Sequence, residues 1–156
     1  MKRQEKCRTL IVESISILFI LLFVYAGLTK FLEGHLFYDN IRNSPILGGT
    51  AIASLASWII PSAELLVPVL LIWHKTKLIG LYGALGLMSL FTVYTVAIVF
   101  FSPYIPCSCG GVISLFSWDQ HLIFNTIFLL LAILGVVQAH KEQRISKEMK
   151  NMKFSC

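Results

Sequence analysis

Charged residues are scarce in this chain of 156 residues. They make up 13% of it, whereas hydrophobic residues make up 56% and the mean hydropathy is +0.77. A soluble domain carries about a quarter charged residues. The shortage excludes an ordinary water-soluble domain and indicates that much of the surface faces lipid. The length is that of a single domain.

The formal net charge of +5 does not indicate nucleic-acid binding, because the basic residues lie in hydrophilic gaps between apolar runs. They are better explained as signals of membrane orientation. We therefore expect the lipid bilayer, and no nucleic acid, among the partners of this protein.

Four hydrophobic runs are long enough to cross a bilayer, which takes about 20 mostly apolar residues. They cover about residues 10–31, 51–73, 78–101 and 118–139. The first run is too long for a signal-peptide core, and no small-residue cleavage site follows it. Because no water is available inside the bilayer, such spans have to be helices. The sequence predicts an all-α integral membrane protein, a bundle of four transmembrane helices in residues 1–140, followed by a basic cytoplasmic tail in 141–156.

The basic residues predict the orientation of these spans. Eleven of the 13 lie before the first run, between the second and third, or after the fourth, which places both chain ends in the cytoplasm. We expect a multi-pass protein of the cytoplasmic (inner) membrane whose first and third connections face outward. The eleven are Lys2, Arg3, Lys6, Arg8, Lys75, Lys77, Lys141, Arg144, Lys147, Lys150 and Lys153.

Two local patterns mark the ends of spans. Ser117 and Gln120 have the spacing of a capping box, which predicts a helix start at Trp118. The first outward connection, residues 33–50, is long enough for a short interfacial helix with Leu36, Phe37 and Ile41 on its apolar edge.

The four cysteines fall on two sides of the predicted membrane. Cys7 and Cys156 are cytoplasmic, where thiols normally stay reduced, and we interpret both as bystanders. Cys107 and Cys109 lie on the third connection, on the periplasmic or extracytoplasmic side. This outward pair is the strongest candidate for chemistry in the chain.

Three interpretations of the pair Cys107 and Cys109 are open. The first is redox exchange: a disulfide across one residue closes a very small ring, which favours easy reduction. Gly110 and Gly111 free the backbone to direct N–H groups at a sulfur, and the start of the fourth span adds a positive helix end; both favour the reactive thiolate. The second is a metal site completed by His121 or His35, although a second cysteine pair is lacking. The third is a structural bridge or two inert thiols. The sequence does not indicate a c-type haem site, since the Cys-x-x-Cys-His pattern is absent.

Ionisable residues inside a span are functional candidates by default. Glu64 lies three residues after Pro61 in the second span, and Lys30, near the outward end of the first, is long enough to reach it. Two roles are open: a structural ion pair between helices, and proton handling by Glu64. No metal ligand set is complete.

On the fourth span, His121 and Asn125 are spaced i, i+4 and therefore share one helix face. His121 lies twelve positions after Cys109, so relaying a cysteine proton and binding a quinone oxygen are both open for it, besides simple solvation at the interface. Asn125 is a candidate interhelical hydrogen-bond partner. The small residues of the third span, Gly80, Gly83, Ala84 and Gly86, predict close helix contact.

Several of these residues, in order along nearly the whole chain, resemble the DoxX-like membrane proteins, specifically the branch of the methylamine-utilisation protein MauE. The matching residues are Tyr25-Ala26-Gly27-Leu28-Thr29-Lys30, Phe37 with Ile41 to Ser44, Trp58 with Pro61 and Glu64, Cys107-Ser108-Cys109-Gly110-Gly111, and Ser117-Trp118 with His121 and Asn125.

The resemblance implies a four-helix membrane protein associated with thiol redox, which helps to form disulfides in a periplasmic client. The polar positions of the family carry over to Lys30, Glu64, Cys107, Cys109, His121 and Asn125. One departure is that Gly110-Gly111 follows Cys109 directly, where the family often has Cys-Phe-Gly. The architecture is also analogous to that of the disulfide-forming membrane oxidases of the DsbB and vitamin K epoxide reductase groups, which pass electrons to a quinone.

The leading hypothesis is a membrane thiol–disulfide redox component in which Cys107 and Cys109 exchange with an extracytoplasmic thioredoxin-like protein or thiol client. Lys30, Glu64, His121 and Asn125 would support it as a polar, proton or quinone site; a quinone is the cofactor considered. One rival is a non-catalytic assembly or stability factor, and another is a small metal- or solute-handling membrane protein. Whether the protein is an enzyme, and whether it forms homo-oligomers, are questions that the sequence leaves open.

Overall fold

A computed structural model describes residues 2–44, 46, 48–101 and 117–154 of the chain. This part of the chain is helical and contains no strand. The five helices are α1 (Lys2–Leu32), α2 (Gly34–Arg42), α3 (Thr50–Ile72), α4 (Lys77–Phe101) and α5 (Trp118–Phe154).

Four of the helices are long and apolar enough to cross a membrane. The spans within them are Cys7–Leu32, Thr50–Ile72, Lys77–Phe101 and Trp118–Ile145. The shortest, with 23 residues, is about 35 Å long, against a hydrocarbon core of about 30 Å. The predicted all-α architecture with four long membrane helices is confirmed, and the protein is a multi-pass membrane protein.

The four long helices form a ring in which each packs on two neighbours. Helix α1 contacts α3 and α5, and α4 contacts the same two helices from the opposite side. The short helix α2, predicted in the first connection, packs mainly on α3. It is amphipathic, with Ile41 buried. The ring encloses one core to which all four long helices contribute.

Aromatic and aliphatic side chains fill this core. Phe19 is fully buried; its ring stacks on Phe23 and meets Phe128 of α5 edge to face, each at a centroid distance of 5.7 Å. Large apolar side chains also cover the outside of the bundle, for example Leu55, Val93 and Phe100, each at least 64% exposed. Such a surface suits a lipid environment, because apolar side chains are unfavourable in contact with water but not in contact with lipid tails.

The close contact predicted for the small residues of α4 forms along only one side of the helix. At Gly80, an added Cβ would lie 2.9 Å from both the backbone nitrogen and the side chain of Leu71 in α3. At Gly86, which is exposed, an added Cβ would meet nothing within 4 Å. Of these two glycines, only Gly80 is required by the packing of α3 on α4; between them, an added Cβ at Gly83 would lie 3.0 Å from the Val67 side chain of α3.

Polar contacts are found at both ends of the bundle. Ser117 and Gln120 form the predicted capping box at the start of α5, with reciprocal side chain to backbone hydrogen bonds of 3.1 and 3.4 Å. At the opposite end, Lys77 pairs with Glu13, and Thr9 donates to Glu142. Helix α5 continues to Phe154, through most of the segment predicted as a basic tail.

Candidate functional site

Glu64 lies in the middle of α3 with its side chain fully buried (0% exposed). Two buried prolines, Pro61 and Pro68, flank it within the helix. Proline has no N–H, so Pro68 cannot make the helical bond to the Glu64 carbonyl four residues earlier. The helix is therefore locally polar at this position, both in its backbone and in its side chain.

The buried carboxylate pairs with the last turn of α1. Lys30 Nζ donates to Glu64 Oε1 at 2.6 Å, which is the contact predicted between these two residues. The ammonium also lies over two aromatic rings, 5.7 Å from the centroid of Phe37 in α2 and 5.4 Å from that of Phe91 in α4. Lys30 thus joins four elements of the bundle, with cation–π attraction adding to the ion pair.

The second carboxylate oxygen, Glu64 Oε2, is buried and accepts no hydrogen bond from the residues that the structure describes. A buried charge is compensated only when its pairing and its remaining hydrogen bonds are both good. The ion pair with Lys30 supplies the first of these and leaves the second unmet. One acceptor inside the bundle is therefore available to a ligand or a water molecule.

A second polar group comes from the first turns of α5. Asn125 is buried, and its Nδ2 donates to Thr95 Oγ1 of α4 at 3.1 Å. The same Nδ2 lies 3.5 Å from His121 Nε2, so the two residues share one helix face as predicted. Thr95 in turn donates to the carbonyl of Phe91 at 2.8 Å. The side chains form a short chain of hydrogen bonds from α5 into α4.

The ion pair of Lys30 with Glu64 and the hydrogen-bonded side chains of α5 and α4 line one cavity, which has a volume of about 220 Å³. All four polar residues predicted for the site, Lys30, Glu64, His121 and Asn125, contribute to its wall. Most of the remaining wall is apolar, and much of that is aromatic. The aromatic residues include Phe23, Phe37, Phe91, Tyr94, Trp118 and Phe124.

A cavity with apolar walls and a few convergent polar groups is the usual form of a small-molecule site. Glu64 and Lys30 lie on the α3 and α1 sides, and His121 and Asn125 on the α5 side. The arrangement is suited to a ring-sized apolar molecule that carries polar atoms at its edge.

The two cysteines predicted as catalytic, Cys107 and Cys109, lie outside the described residues, and so does Cys156. Cys7 is exposed with a free thiol. Among the residues that the structure describes, no three His, Cys, Asp or Glu side chains are grouped in a way that could hold a metal ion.

Sequence reasoning identified four polar residues of the cavity wall but missed others, Asn40 and Thr95 among them, and it missed the aromatic wall. The available signal for Thr95 was the need of Asn125 for a partner, because a buried amide in lipid seeks an interhelical hydrogen bond. The sequence does not indicate which of the several hydroxyl groups on α3 and α4 is the hydrogen-bond partner of Asn125.

Comparison with known protein families finds a match that covers most of the chain. The model of a family described as methylamine utilisation protein MauE matches residues 8–138, which include all four membrane spans up to the last turns of the fourth. The curated proteins contain no match to the chain, and neither do the solved structures. On the strength of a match over most of its length, the chain belongs to the MauE family of membrane proteins.

Proposed function

We propose that the protein is a membrane thiol–disulfide redox component. It resides in the cytoplasmic membrane with both ends inside, and Cys107 and Cys109 exchange disulfides with an extracytoplasmic thioredoxin-like protein or thiol client. Methylamine utilisation is the process that the family description names. The residues Gly110-Gly111 after Cys109 depart from the usual family pattern, so the client is left open.

One observation carries the proposal. The segment with the two cysteines, residues 102–116, connects the end of α4 to the start of α5. Both helices line the cavity near these ends, α4 through Tyr94 and Thr95 in its last turns and α5 through Trp118 and His121 in its first. Two cysteines in a segment joined at both ends to helices that line this cavity are an arrangement suited to a redox protein.

The exchange balances in atoms and electrons. A thiolate of the partner attacks the Cys107–Cys109 disulfide, and a mixed disulfide forms before the partner's second thiol resolves it. The partner loses two electrons and two protons and gains an S–S bond; Cys107 and Cys109 gain both electrons and both protons. In this scheme His121 relays a cysteine proton, and the Lys30–Glu64 pair holds the helices around the cavity.

The first test is thiol labelling in intact cells with a membrane-impermeant maleimide. A Cys7→Ser/Cys156→Ser background leaves Cys107 and Cys109 as the sole thiols in the chain. We expect no labelling before mild reduction and two labels per chain after it. Labelling before reduction would mean free thiols, and absence of labelling in both states would mean that the pair does not face outward; each result contradicts the proposal. A variant that retains Cys7 alone is the control for the inner side, and it should stay unlabelled.

The second test traps the partner. A Cys107→Ser or Cys109→Ser variant keeps one cysteine, which can form a mixed disulfide with a partner protein but has no neighbouring cysteine to resolve it. We therefore expect one of the two variants to accumulate as a mixed disulfide with a partner. The partner's own cysteines should shift toward the reduced form when both are replaced. A lower protein level without a trapped partner, and with unchanged partner oxidation, would instead support the non-catalytic assembly factor.

A further inference from the structure

The thiol exchange leaves one feature of the cavity unused, the free acceptor Glu64 Oε2. The side chain is fully buried, and Oε2 receives no hydrogen bond within the described residues. A buried acceptor without a donor loses the hydrogen bonds it would make to water. A ligand that brings an O–H or N–H group to this oxygen therefore gains more than it would at an exposed carboxylate.

The rest of the cavity limits what such a ligand can be. Its volume of about 220 Å³ exceeds that of a dry apolar cavity of about 150 Å³, which holds a benzene ring. A single substituted ring therefore fits, and the aromatic walls favour a planar one. The surrounding helices face lipid with side chains such as Trp58 and Val93, so the natural source of an apolar ligand is the membrane itself.

The charge in the cavity excludes a further class of ligand. The Lys30 ammonium already occupies the position over Phe37 and Phe91, and it neutralises Glu64 at Oε1. A second cation would meet repulsion at the one place where aromatic rings and a carboxylate would otherwise attract it. The residues of the wall instead include a hydrogen-bond donor, Lys30, and beside it Glu64, whose Oε2 has no donor among the described residues.

A donor beside an acceptor suits an oxygen atom that alternates between carbonyl and hydroxyl. We propose that the cavity binds the head group of a membrane-dissolved quinone and its quinol, with Lys30 donating to a ring oxygen and Glu64 Oε2 accepting from the quinol hydroxyl. The source of the electrons rests on the thiol function proposed above; the binding site does not. Oxidation of the two thiols breaks two S–H bonds and forms one S–S bond, and the quinone takes up the two electrons and two protons as two O–H bonds.

The test uses the full-length protein in phospholipid vesicles and a short-chain ubiquinone analogue as the probe. Among the three tryptophans, Trp118 lines the cavity, whereas Trp58 and Trp73 are 68% and 66% exposed on the outside of the bundle. A Trp58→Phe/Trp73→Phe background therefore makes Trp118 the sole reporter. Saturable quenching of its fluorescence by the quinone is the expected result, and quenching that rises without saturation would overturn the proposal.

A pair of alanines on α3 provides the specificity control. Ala56 lines the cavity and Ala51 is exposed on the same helix. We expect Ala56→Leu to fill part of the cavity and weaken quinone binding on the order of tenfold or more, while Ala51→Leu leaves binding unchanged. Equal affinity in both variants would mean that the quinone binds elsewhere, which overturns the proposal.

The role of the carboxylate is tested by comparing the two forms of the probe. A hydrogen bond to a charged acceptor is stronger than one to a neutral acceptor, so Glu64→Gln should weaken quinol binding on the order of tenfold more than quinone binding. Glu13→Gln, at the other end of the bundle, should change neither. Equal losses for both forms in Glu64→Gln would refute the contact at Oε2. The Ala56→Leu comparison keeps the site testable if Glu64→Gln fails to fold.

The two proposals fail in distinguishable ways. A Cys107→Ser/Cys109→Ser protein should bind the quinone with unchanged affinity but should not reduce it when a dithiol is supplied. Quinone binding by a protein that oxidises no thiol partner would refute the thiol function and leave the binding site standing. Partner oxidation by a protein that does not bind the quinone would overturn the binding site and leave the thiol function standing.

Discussion

Replacing Lys30 by methionine should destabilise the protein far more than replacing Lys77, although each lysine pairs with one glutamate. Lys30→Met leaves Glu64, at 0% exposure, without its one hydrogen bond partner among the described residues. Removing one member of a buried ion pair costs about 3–5 kcal/mol. Lys77→Met leaves Glu13, which is 40% exposed and can be hydrated, so its loss should stay within about 1 kcal/mol.

Thermal unfolding of the purified protein in detergent measures the difference. For a chain of this size, 1 kcal/mol corresponds to roughly 2–4 °C in Tm, so Lys30→Met should lower Tm by roughly 6–20 °C and Lys77→Met by less than about 4 °C. A Lys30→Met/Glu64→Leu double variant also removes the unpaired carboxylate of Glu64. It should recover most of the decrease in Tm, because replacing a buried ion pair by apolar residues is often neutral. Equal losses for the two single variants, or a double variant no more stable than Lys30→Met, would refute the reasoning.

Two further predictions concern helix contacts. Gly80→Ala should lower the free energy of unfolding by about 1–3 kcal/mol, because the added Cβ would collide with the backbone of Leu71. Gly86→Ala should be neutral or stabilising by up to about 1 kcal/mol. Similar Tm values for the two variants would contradict the packing of α3 on α4. Asn125→Leu and Thr95→Val should each lower the free energy of unfolding only a little, and a double-mutant cycle should give a coupling energy of about 0.6 kcal/mol, the average for such hydrogen bonds in membranes. Zero coupling would mean that the 3.1 Å hydrogen bond between the two side chains does not stabilise the protein.

Local signals were sufficient for much of the fold. The four spans follow from length and apolarity, since each membrane helix satisfies its backbone internally and can be recognised one segment at a time. The start of α5 follows from Ser117 and Gln120, whose hydrogen bonds join neighbours in the chain. The pair of Lys30 with Glu64 could also be anticipated, because a charge inside a membrane needs a partner and few candidates exist.

The contacts between helices could not be predicted from the sequence in this way. Helix α4 is apolar on all sides, so no periodicity distinguishes its inner face from its lipid face, and Gly80 and Gly86 look equivalent in sequence. Thr95 became identifiable as the partner of Asn125 only when α4 and α5 were seen to pack together.

The amino-acid sequence alone was enough to establish a membrane protein with four spans, its family, and the polar residues to be explained. The tertiary structure decided that Lys30, Glu64, His121 and Asn125 surround one cavity and that Glu64 Oε2 lacks a donor within the described residues. The physical reason is that lipid and helix interior are equally apolar. The packing of membrane helices therefore depends on the fit of their surfaces, and hydrophobic pattern carries little information about that fit.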